Sequence, residues 1–154
     1  VISVGKIKEK YFTAAIDEYS KRLSRFAKLN IIEVADEKIP DNASEKEMEQ
    51  IKEKEGNKIL AKLPQNSFVV TLCIEGKEHS SEELAKKIAD ISMTSSHITF
   101  IIGGSLGLSD TVKSKSALRL SFGKMTLPHQ LMRVVLLEQI YRAFKINNNE
   151  SYHK

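Results

Sequence analysis

The chain has 154 residues, 41% of them hydrophobic, with 24 basic and 20 acidic side chains. This length is typical of one domain and can bury a sizeable core, so we expect a single domain over residues 1–154. The one cysteine, Cys73, excludes a disulfide framework and cysteine-rich zinc modules, and it is typical of a reducing, cytoplasmic location. No apolar run approaches the roughly 18 residues that a membrane span needs, so no membrane partner is expected.

The net charge of +4 comes entirely from the last third of the chain. Residues 97–154 hold 8 basic and 3 acidic side chains, whereas residues 1–96 hold 16 and 17. A polyanionic partner at this end of the chain would explain the excess. Ordinary surface charge would explain it equally well.

The first half of the chain predicts two strands, each followed by a helix. A β-rich run at Val1–Val4 precedes apolar residues spaced three and four apart over Phe12–Phe26, which form one face of a helix. A second strand is predicted at Leu29–Val34, and the helix after it opens at Ser44 with a Ser-x-x-Glu capping box. The alternating charges over Glu45–Lys58 indicate a solvated face of that helix.

The second half continues the alternation with three more strands. The runs Phe68–Ile74, Ile98–Ile102 and Leu118–Phe122 are rich in β-forming residues. A second capping box at Ser80 opens a helix after the first of them, and a short helix near Ser109 follows the second. Strands that alternate with helices predict an α/β fold, here a mostly parallel five-stranded sheet with helices on both faces.

The last helix, predicted from Pro128 to about Ile146, is apolar around nearly its whole circumference. Such a helix is buried, yet a terminal helix of a small domain is hard to cover on every side. We therefore expect this helix to form the seam of a homodimer. A deeply packed core helix is the alternative.

Glycine-rich or polar segments follow three of the predicted strands, at the edge where parallel α/β sheets bind ligands. They are Glu75–Lys77, Gly103–Gly107 and Gly123–His129, and four of the seven glycines lie between positions 103 and 123. Glycine lets a ligand approach the backbone closely, so the segments predict a small-molecule site, although tight turns alone would also use glycine. Their order matches neither the dinucleotide fingerprint nor a phosphate-binding loop.

The remaining reactive residue types favour structural roles. The four histidines, at positions 79, 97, 129 and 153, lack the spacing of metal ligands, so no metal site is predicted. His129 follows a proline at a helix start and is expected to order that turn. Cys73 lies in a strand with a buried pattern, which favours a small core residue.

A family resemblance rests on motifs spread along the chain, which are Lys54–Gly56, Thr71-Leu72, Ile102–Leu108, Met125–His129, Arg133, Glu138, Tyr141–Ala143 and the closing Tyr152-His153. Together they resemble the ribosomal RNA large subunit methyltransferase H family of the SPOUT superfamily. The resemblance implies S-adenosyl-L-methionine as cofactor and methylation of N3 of a pseudouridine in 23S rRNA, on the assembled ribosome. It also implies a homodimer with a C-terminal trefoil knot, which is a rare exception to the usual topology rules.

The resemblance places functional residues at the three strand ends and in the C-terminal tail. Cofactor contacts are implied for Leu72, Gly103, Phe122, Gly123, Lys124, Met125, Thr126 and Leu127. Tyr152 would stack on the target base, His153 would accept a proton or contact phosphate, and Arg142 would stabilise the imide anion or hold the RNA backbone. If the last helix lies in a dimer seam, the tail reaches the partner's pocket. A non-catalytic ribosome-binding factor and a SPOUT enzyme acting on another RNA remain alternatives.

Overall fold

Five strands and five helices alternate along residues 1–154, all of which the computed structural model describes. In chain order they are β1 Ile2–Val4, α1 Lys10–Leu23, β2 Ile32–Val34, α2 Glu45–Lys62, β3 Phe68–Glu78, α3 Ser81–Ser92, β4 Ile98–Ile102, α4 Asp110–Ser114, β5 Leu118–Ser121 and α5 His129–Asn147. The predicted alternation is confirmed, and apart from β3 the predicted ends lie within three residues of the observed ones.

The strands form one sheet in the order β2-β1-β4-β3-β5, and every neighbouring pair is parallel. Parallel neighbours cannot be joined by a tight hairpin, so the chain crosses back over the sheet between strands. The carboxyl ends of all five strands therefore lie along one edge. The prediction of a parallel α/β sheet is confirmed.

Helices cover both faces of the sheet, as two successive residues of β3 show. Val69 belongs to a core cluster that includes Ile59 of α2 and Val112 of α4. Val70 belongs to a second cluster, built with residues of α1, α3 and α5. Because neighbouring strand residues point to opposite faces, the two clusters lie on opposite sides of the sheet. This double burial explains why the central strands have continuous apolar runs.

Both predicted capping boxes are present. The hydroxyl of Ser44 accepts a hydrogen bond from the backbone N–H of Glu47 at 3.2 Å, and the Glu47 carboxylate accepts from the Ser44 N–H at 2.8 Å. Ser80 and Glu83 repeat the arrangement at 3.1 and 2.8 Å. Each box pairs two N–H groups that a helix start otherwise leaves free, which fixes where α2 and α3 begin.

β3 ends at Glu78, beyond the predicted end at Ile74, so the prediction of a loop at Glu75–Lys77 is wrong. The strand bulges after Leu72 and then pairs with β5 a second time. Gly76 makes the second pairing possible, because a Cβ atom there would lie 2.8 Å from backbone atoms of β5. The glycine that suggested a turn instead allows two strands to approach closely.

α5 packs against α1 and α3, and one side of it is covered within the chain. The residues on that side are between 0 and 7% exposed: Leu136, Leu137, Ile140 and Ala143. On the other side, Leu131 and Val135 are only half-buried and do not pack against this core. Packing within the chain therefore accounts for one side of the apolar helix, and a dimer seam on the other side stays a prediction. None of the five helices has the length and apolar character that crossing a membrane requires.

Replacing Gly76 by alanine should lower the free energy of unfolding by about 1–3 kcal/mol, because the added Cβ atom would overlap the backbone of β5. Denaturant unfolding followed by circular dichroism measures the change. Lys77→Ala, at the next and exposed position, is the matched control and should change stability by less than about 0.5 kcal/mol. If the two variants proved equally stable, the close approach of β3 and β5 would be contradicted.

Candidate active site

The bulge of β3 and the carboxyl ends of β4 and β5 open into a cleft of about 380 Å³. Residues 72–75, residues 102–108 and most of residues 120–127 line it, and His129 and Met132 of α5 close one side. A concave and mainly apolar pocket of this size is typical of a small-molecule site. Of the three segments that the sequence predicts for a ligand site, Gly103–Gly107 and most of Gly123–His129 line the cleft, whereas Glu75–Lys77 contributes only Glu75.

Backbone contacts between glycines shape the loop after β4. The N–H of Gly107 donates to the carbonyl oxygen of Gly104 at 3.0 Å, and the φ of Gly107 is +82°. A Cβ atom at Gly103 would lie 2.7 Å from the carbonyl carbon of Gly107. A side chain at Gly103 would therefore open the loop, whereas Gly107 is required by its positive φ, which other residues rarely adopt.

The loop between β5 and α5 forms an apolar rim on the cleft. Phe122, Met125 and Leu127 are 37%, 86% and 39% exposed. Ser121 anchors the loop, because its hydroxyl donates to the carbonyl of Ile74 at 2.9 Å and lies 3.1 Å from the backbone N–H of residue 123, from which it accepts. Large apolar side chains grouped in water indicate a surface that a ligand or partner covers.

Of the eight cofactor residues that the resemblance implies, all except Lys124 line the cleft, and Lys124 is exposed beside it. Cys73 lines the cleft as well and is half-buried, so the prediction of a core residue is wrong. The reason is the bulge of β3, which begins just before Cys73. His129 also contributes to the cleft wall, in addition to its place in the first turn of α5.

Little free charge faces the cleft. Lys113 pairs with Glu75 at 2.5 Å and holds the pKa of that carboxyl below its usual range. Burial, assisted by the charge of Arg133, lowers the pKa of His129, so its imidazole is neutral at physiological pH. The cleft therefore offers apolar surface and hydrogen-bonding groups. No group of three or more His, Cys, Asp or Glu side chains is placed to hold a metal ion.

The predicted catalytic residues lie together in a second cluster, around Glu138. Nε and Nη2 of Arg142 donate to Oε1 of Glu138 at 2.9 and 2.7 Å, and the hydroxyl of Tyr152 donates to Oε2 at 2.8 Å. The guanidinium also lies 4.7 Å from the centre of the Tyr152 ring and 3.2 Å from Nδ1 of His153. Since Nδ1 accepts from the guanidinium, Nε2 of His153 donates to Glu82, at 2.8 Å.

This tail cluster and the cleft are separate within one chain. None of Arg142, Tyr152 and His153 lines the cleft. Ten residues of α5 separate Arg142 from Met132 on the cleft wall, which corresponds to about 15 Å at the helical rise. A single chain therefore does not bring the expected catalytic residues to the expected cofactor site.

One buried charge that the sequence analysis left without a role is Arg133, which is 2% exposed. Its Nη1 donates to Oε2 of Glu33 at 2.6 Å, and its Nη2 donates to the carbonyl oxygens of Val4 and Gly5 at 3.0 and 2.6 Å. The guanidinium thereby ties the start of α5 to the ends of β1 and β2. In the sequence, the sign of this buried role is a charged residue inside an otherwise apolar helix pattern.

A second buried charge is Glu55 of α2, which is 4% exposed. The prediction that Glu45–Lys58 forms a solvated face is wrong at this position. The neighbouring Gly56 gives the reason, because a Cβ atom there would lie 2.5 Å from the hydroxyl oxygen of Ser109. A glycine in the middle of a helix was the indication of this close packing.

A model of the family described as "Predicted SPOUT methyltransferase" matches residues 1–153 of this parallel α/β domain. The chain is 60% identical over 155 residues to the ribosomal RNA large subunit methyltransferase H of Clostridioides difficile (strain 630), across 100% of this chain and 98% of the relative. Identity to the protein of the same name from Clostridium botulinum (strain Kyoto / Type A2) is 63% with the same coverage. The chain therefore belongs to the SPOUT methyltransferase family, and the resemblance found in the sequence is confirmed.

A solved structure shares the fold. It is described as a probable methylase family protein from Haemophilus influenzae Rd KW20, and it matches with a TM-score of 0.53 and 13% identity over 99% of this chain and 69% of that one. At this identity the likeness concerns the fold alone. Membership of a methyltransferase family implies that the protein uses a methyl donor.

The Cys73 thiol should react with iodoacetamide more slowly than a free thiol at about pH 8, because burial raises its pKa and leaves less thiolate. The rate should rise with pH, with a midpoint above the ordinary value of about 8.5. Mass spectrometry of the intact protein measures the alkylated fraction. A pH profile that coincides with that of a cysteine-containing peptide would contradict the expectation.

Replacing Arg133 by methionine should lower the free energy of unfolding by about 2–3 kcal/mol, because two carbonyls and a partly exposed carboxylate lose their donors. Denaturant unfolding measures the loss. Arg22→Met is the matched control, since Arg22 pairs with Glu18 on the surface of α1, where such a pair contributes less than about 1 kcal/mol. Equal losses in the two variants would contradict a structural role for the buried guanidinium.

Proposed function

We propose that the protein transfers the methyl group of S-adenosyl-L-methionine to N3 of a pseudouridine in 23S rRNA of the large ribosomal subunit, in the cytoplasm. The observation that carries the proposal is the cleft, since its walls contain all but one of the residues that the resemblance assigns to the cofactor. The relatives with 60% and 63% identity are named ribosomal RNA large subunit methyltransferase H, which supports rRNA as the substrate.

The residues of the cleft fit S-adenosylmethionine. The apolar rim of Phe122, Met125 and Leu127 suits the adenine ring, and the close backbones at Gly103 and Gly107 let polar main-chain groups reach the ribose and adenine edges. The near-neutral walls suit the uncharged adenosine part. When bound, this cofactor supplies a methyl group on a sulfonium, which needs little further activation.

The acceptor is a weakly acidic imide nitrogen that has to lose its proton, so catalysis needs a base or a group that stabilises the anion. Arg142 provides a permanent positive charge for the anion. Burial and Glu138 raise the pKa of Tyr152, so its ring stays a neutral phenol that can stack on the base. The imidazole of His153 would first separate from the guanidinium of Arg142. Its Nδ1 would then take the proton from the imide nitrogen.

We propose that two copies of the chain complete each site. Arg142, which contacts both Tyr152 and His153, lies about 15 Å along α5 from the cleft wall, so these residues do not reach their own cleft in the observed arrangement. The half-buried side of α5 with Leu131 and Val135 offers an apolar surface for a second copy. A two-fold symmetric dimer through this surface would give each cleft the partner's tail, and it would form two equal sites.

With no separate RNA-binding domain among the described elements, substrate recognition relies on the surface around the cleft. The C-terminal third supplies a positive excess for phosphates, with 8 basic and 3 acidic side chains over residues 97–154. Turning a base out of its stack costs a few kcal/mol, which stacking on an aromatic ring such as Tyr152 offsets. A large, preformed ribosomal surface is the expected substrate, in preference to a naked RNA fragment.

Isotopically labelled S-adenosylmethionine and ribosomes from cells that lack this gene provide the direct test. After incubation, nucleoside mass spectrometry should find the label on a methylated pseudouridine of the large-subunit rRNA. Label on a different nucleoside would move the substrate to another RNA. No label, with protein shown to bind the cofactor and ribosomes shown to lack the modification, would favour a non-catalytic ribosome-binding factor.

His153→Ala should leave cofactor binding intact and abolish turnover, because residue 153 lies outside the cleft but close to the proposed acceptor. Calorimetry measures the binding, and label transfer measures the turnover. Gly103→Ala should lose binding instead, since its Cβ atom would lie 2.7 Å from the backbone of Gly107.

A mixture of the two inactive variants tests the shared site. Random exchange of subunits gives half heterodimers, each with one intact cleft facing one intact tail, so about a quarter of the wild-type activity should return. If the mixture stays inactive although subunit exchange is demonstrated, the shared site is contradicted. The proposed methyl transfer would still stand.

A further inference from the structure

The imidazole of His153 contacts two different elements through its two nitrogens. Nδ1 lies 3.2 Å from Nη1 of Arg142 on α5, and Nε2 lies 2.8 Å from Oε1 of Glu82 on α3. The resemblance gives roles to Arg142 and His153, but it assigns none to Glu82. A carboxylate that pairs with the proposed base therefore needs an explanation of its own.

Glu82 is held in place independently of the tail. It is the second residue of α3, and the capping box at the start of this helix fixes where it begins. The preceding Ser81 donates its hydroxyl to Oε1 of Gln139 on α5 at 2.8 Å, and α3 packs against α5. The carboxylate thus belongs to the packed part of the domain, whereas His153 lies six residues beyond the end of α5.

The two partners of His153 select the same neutral form of its ring. Hydrogen bonds from the backbone N–H of Glu82, and then from His153 and Ser80, lower the pKa of the Glu82 carboxyl to about 2. The resulting carboxylate has no proton to give, so it accepts from Nε2. A guanidinium can only donate, so Nδ1 has to accept. The proton of the neutral imidazole therefore sits on Nε2, and the free electron pair is on Nδ1.

Arg142 cannot maintain this form during the reaction. For Nδ1 to accept a proton from the imide nitrogen, the guanidinium has to leave it. Only Glu82 then keeps the proton on Nε2, because the tautomer of an imidazole is set by the hydrogen bond at its other nitrogen. The same carboxylate lies beside the positive charge that His153 acquires, and it is in place before the reaction begins.

We propose that Glu82 is a positioning residue for His153, which holds the imidazole with Nδ1 free for the proton of the target base and stabilises the imidazolium that forms. The inference rests on the proposed function. In the step, the N3–H bond of the base breaks, its proton binds Nδ1 and its electron pair stays on N3. That pair forms the bond to the methyl carbon, while the electrons of the carbon–sulfur bond remain on sulfur. The imidazolium then releases its proton to water.

Nitrogen NMR of protein with isotopically labelled histidine measures the tautomer without any methyl transfer, and His153→Ala assigns the signals. At about pH 9, where histidines are neutral, His153 should carry its proton on Nε2. Since Arg142 also favours this form, the decisive comparison uses Arg142→Met. In that background Glu82 should keep a single tautomer, whereas Glu82→Gln should give a mixture, because an amide can donate as well as accept. Equal tautomer populations with and without Glu82 would overturn the positioning role.

Methyl transfer to ribosomes tests the charge of Glu82. Glu82→Gln keeps the size of the side chain and an oxygen that accepts from Nε2, but it removes the negative charge. It should lower kcat by about fivefold, the upper range for an exposed charge pair, and leave KM for ribosomes and the affinity for S-adenosylmethionine unchanged. Glu82→Asp restores the charge and should recover part of the loss. Asp90→Asn, at an exposed position of the same helix, is the matched control and should behave like the wild type.

A merely structural role of Glu82 predicts a different result. If the carboxylate only tethers the tail, Glu82→Gln should keep the wild-type kcat. Alternatively, it should lose activity together with the contact between Tyr152 and Glu138, which the NMR signals of the Tyr152 ring report. Either result would overturn the positioning role.

Failure of the proposed function has a separate signature. Wild-type protein that transfers no methyl group would contradict the reaction and the inference with it, whatever the tautomer of His153. Methyl transfer with a tautomer and a kcat that do not depend on Glu82 would contradict the positioning role alone.

Discussion

The buried guanidinium of Arg133 fixes the joint on which the cleft depends. It holds the start of α5 against the carboxyl ends of β1 and β2 through Glu33 and two main-chain carbonyls. The loop of residues 122–128 spans from β5 to this joint, and Ser121 fixes its other end to β3. With both ends held, the loop can present Met125 and its apolar neighbours to water without folding them into the core. A rim prepared in this way loses little conformational entropy when a ligand covers it.

Close backbone approach is the second constraint on the cleft. At Gly76 and Gly103 no room exists for a side chain, because the backbones of β5 and of Gly107 lie within 3 Å of the Cβ position. At Gly123 the space is open, and the requirement comes from a φ of +109°. Glycine is therefore required here for two different physical reasons, close backbone contact and positive φ. Only the glycines in close contact bring separate segments together.

The sequence predicts most of the fold because its patterns are local. Strand runs, capping boxes and the apolar face of α1 each depend on neighbours a few residues away, and the structure confirms them. The predicted end of β3 is wrong, because the bulge that lengthens the strand depends on a close contact with β5, about 40 residues further along the chain. Glu55 was mistaken for the same reason: its burial is decided by Ser109 and Gly104, far away in sequence. The strand-end cleft followed from topology, but the distance between cleft and tail could only be measured in three dimensions.

The order of the strands also bears on how the chain folds as it is synthesised. β1 pairs with β2 early in the chain, but its other neighbour is β4, so that Ile2 lies opposite Ile101. β3 likewise pairs only with β4 and β5. The two halves of the sheet therefore cannot be connected before β4 has been synthesised, which takes about two-thirds of the chain. Pairing across so long a loop is slow, and the apolar faces of β1 and β3 stay open meanwhile.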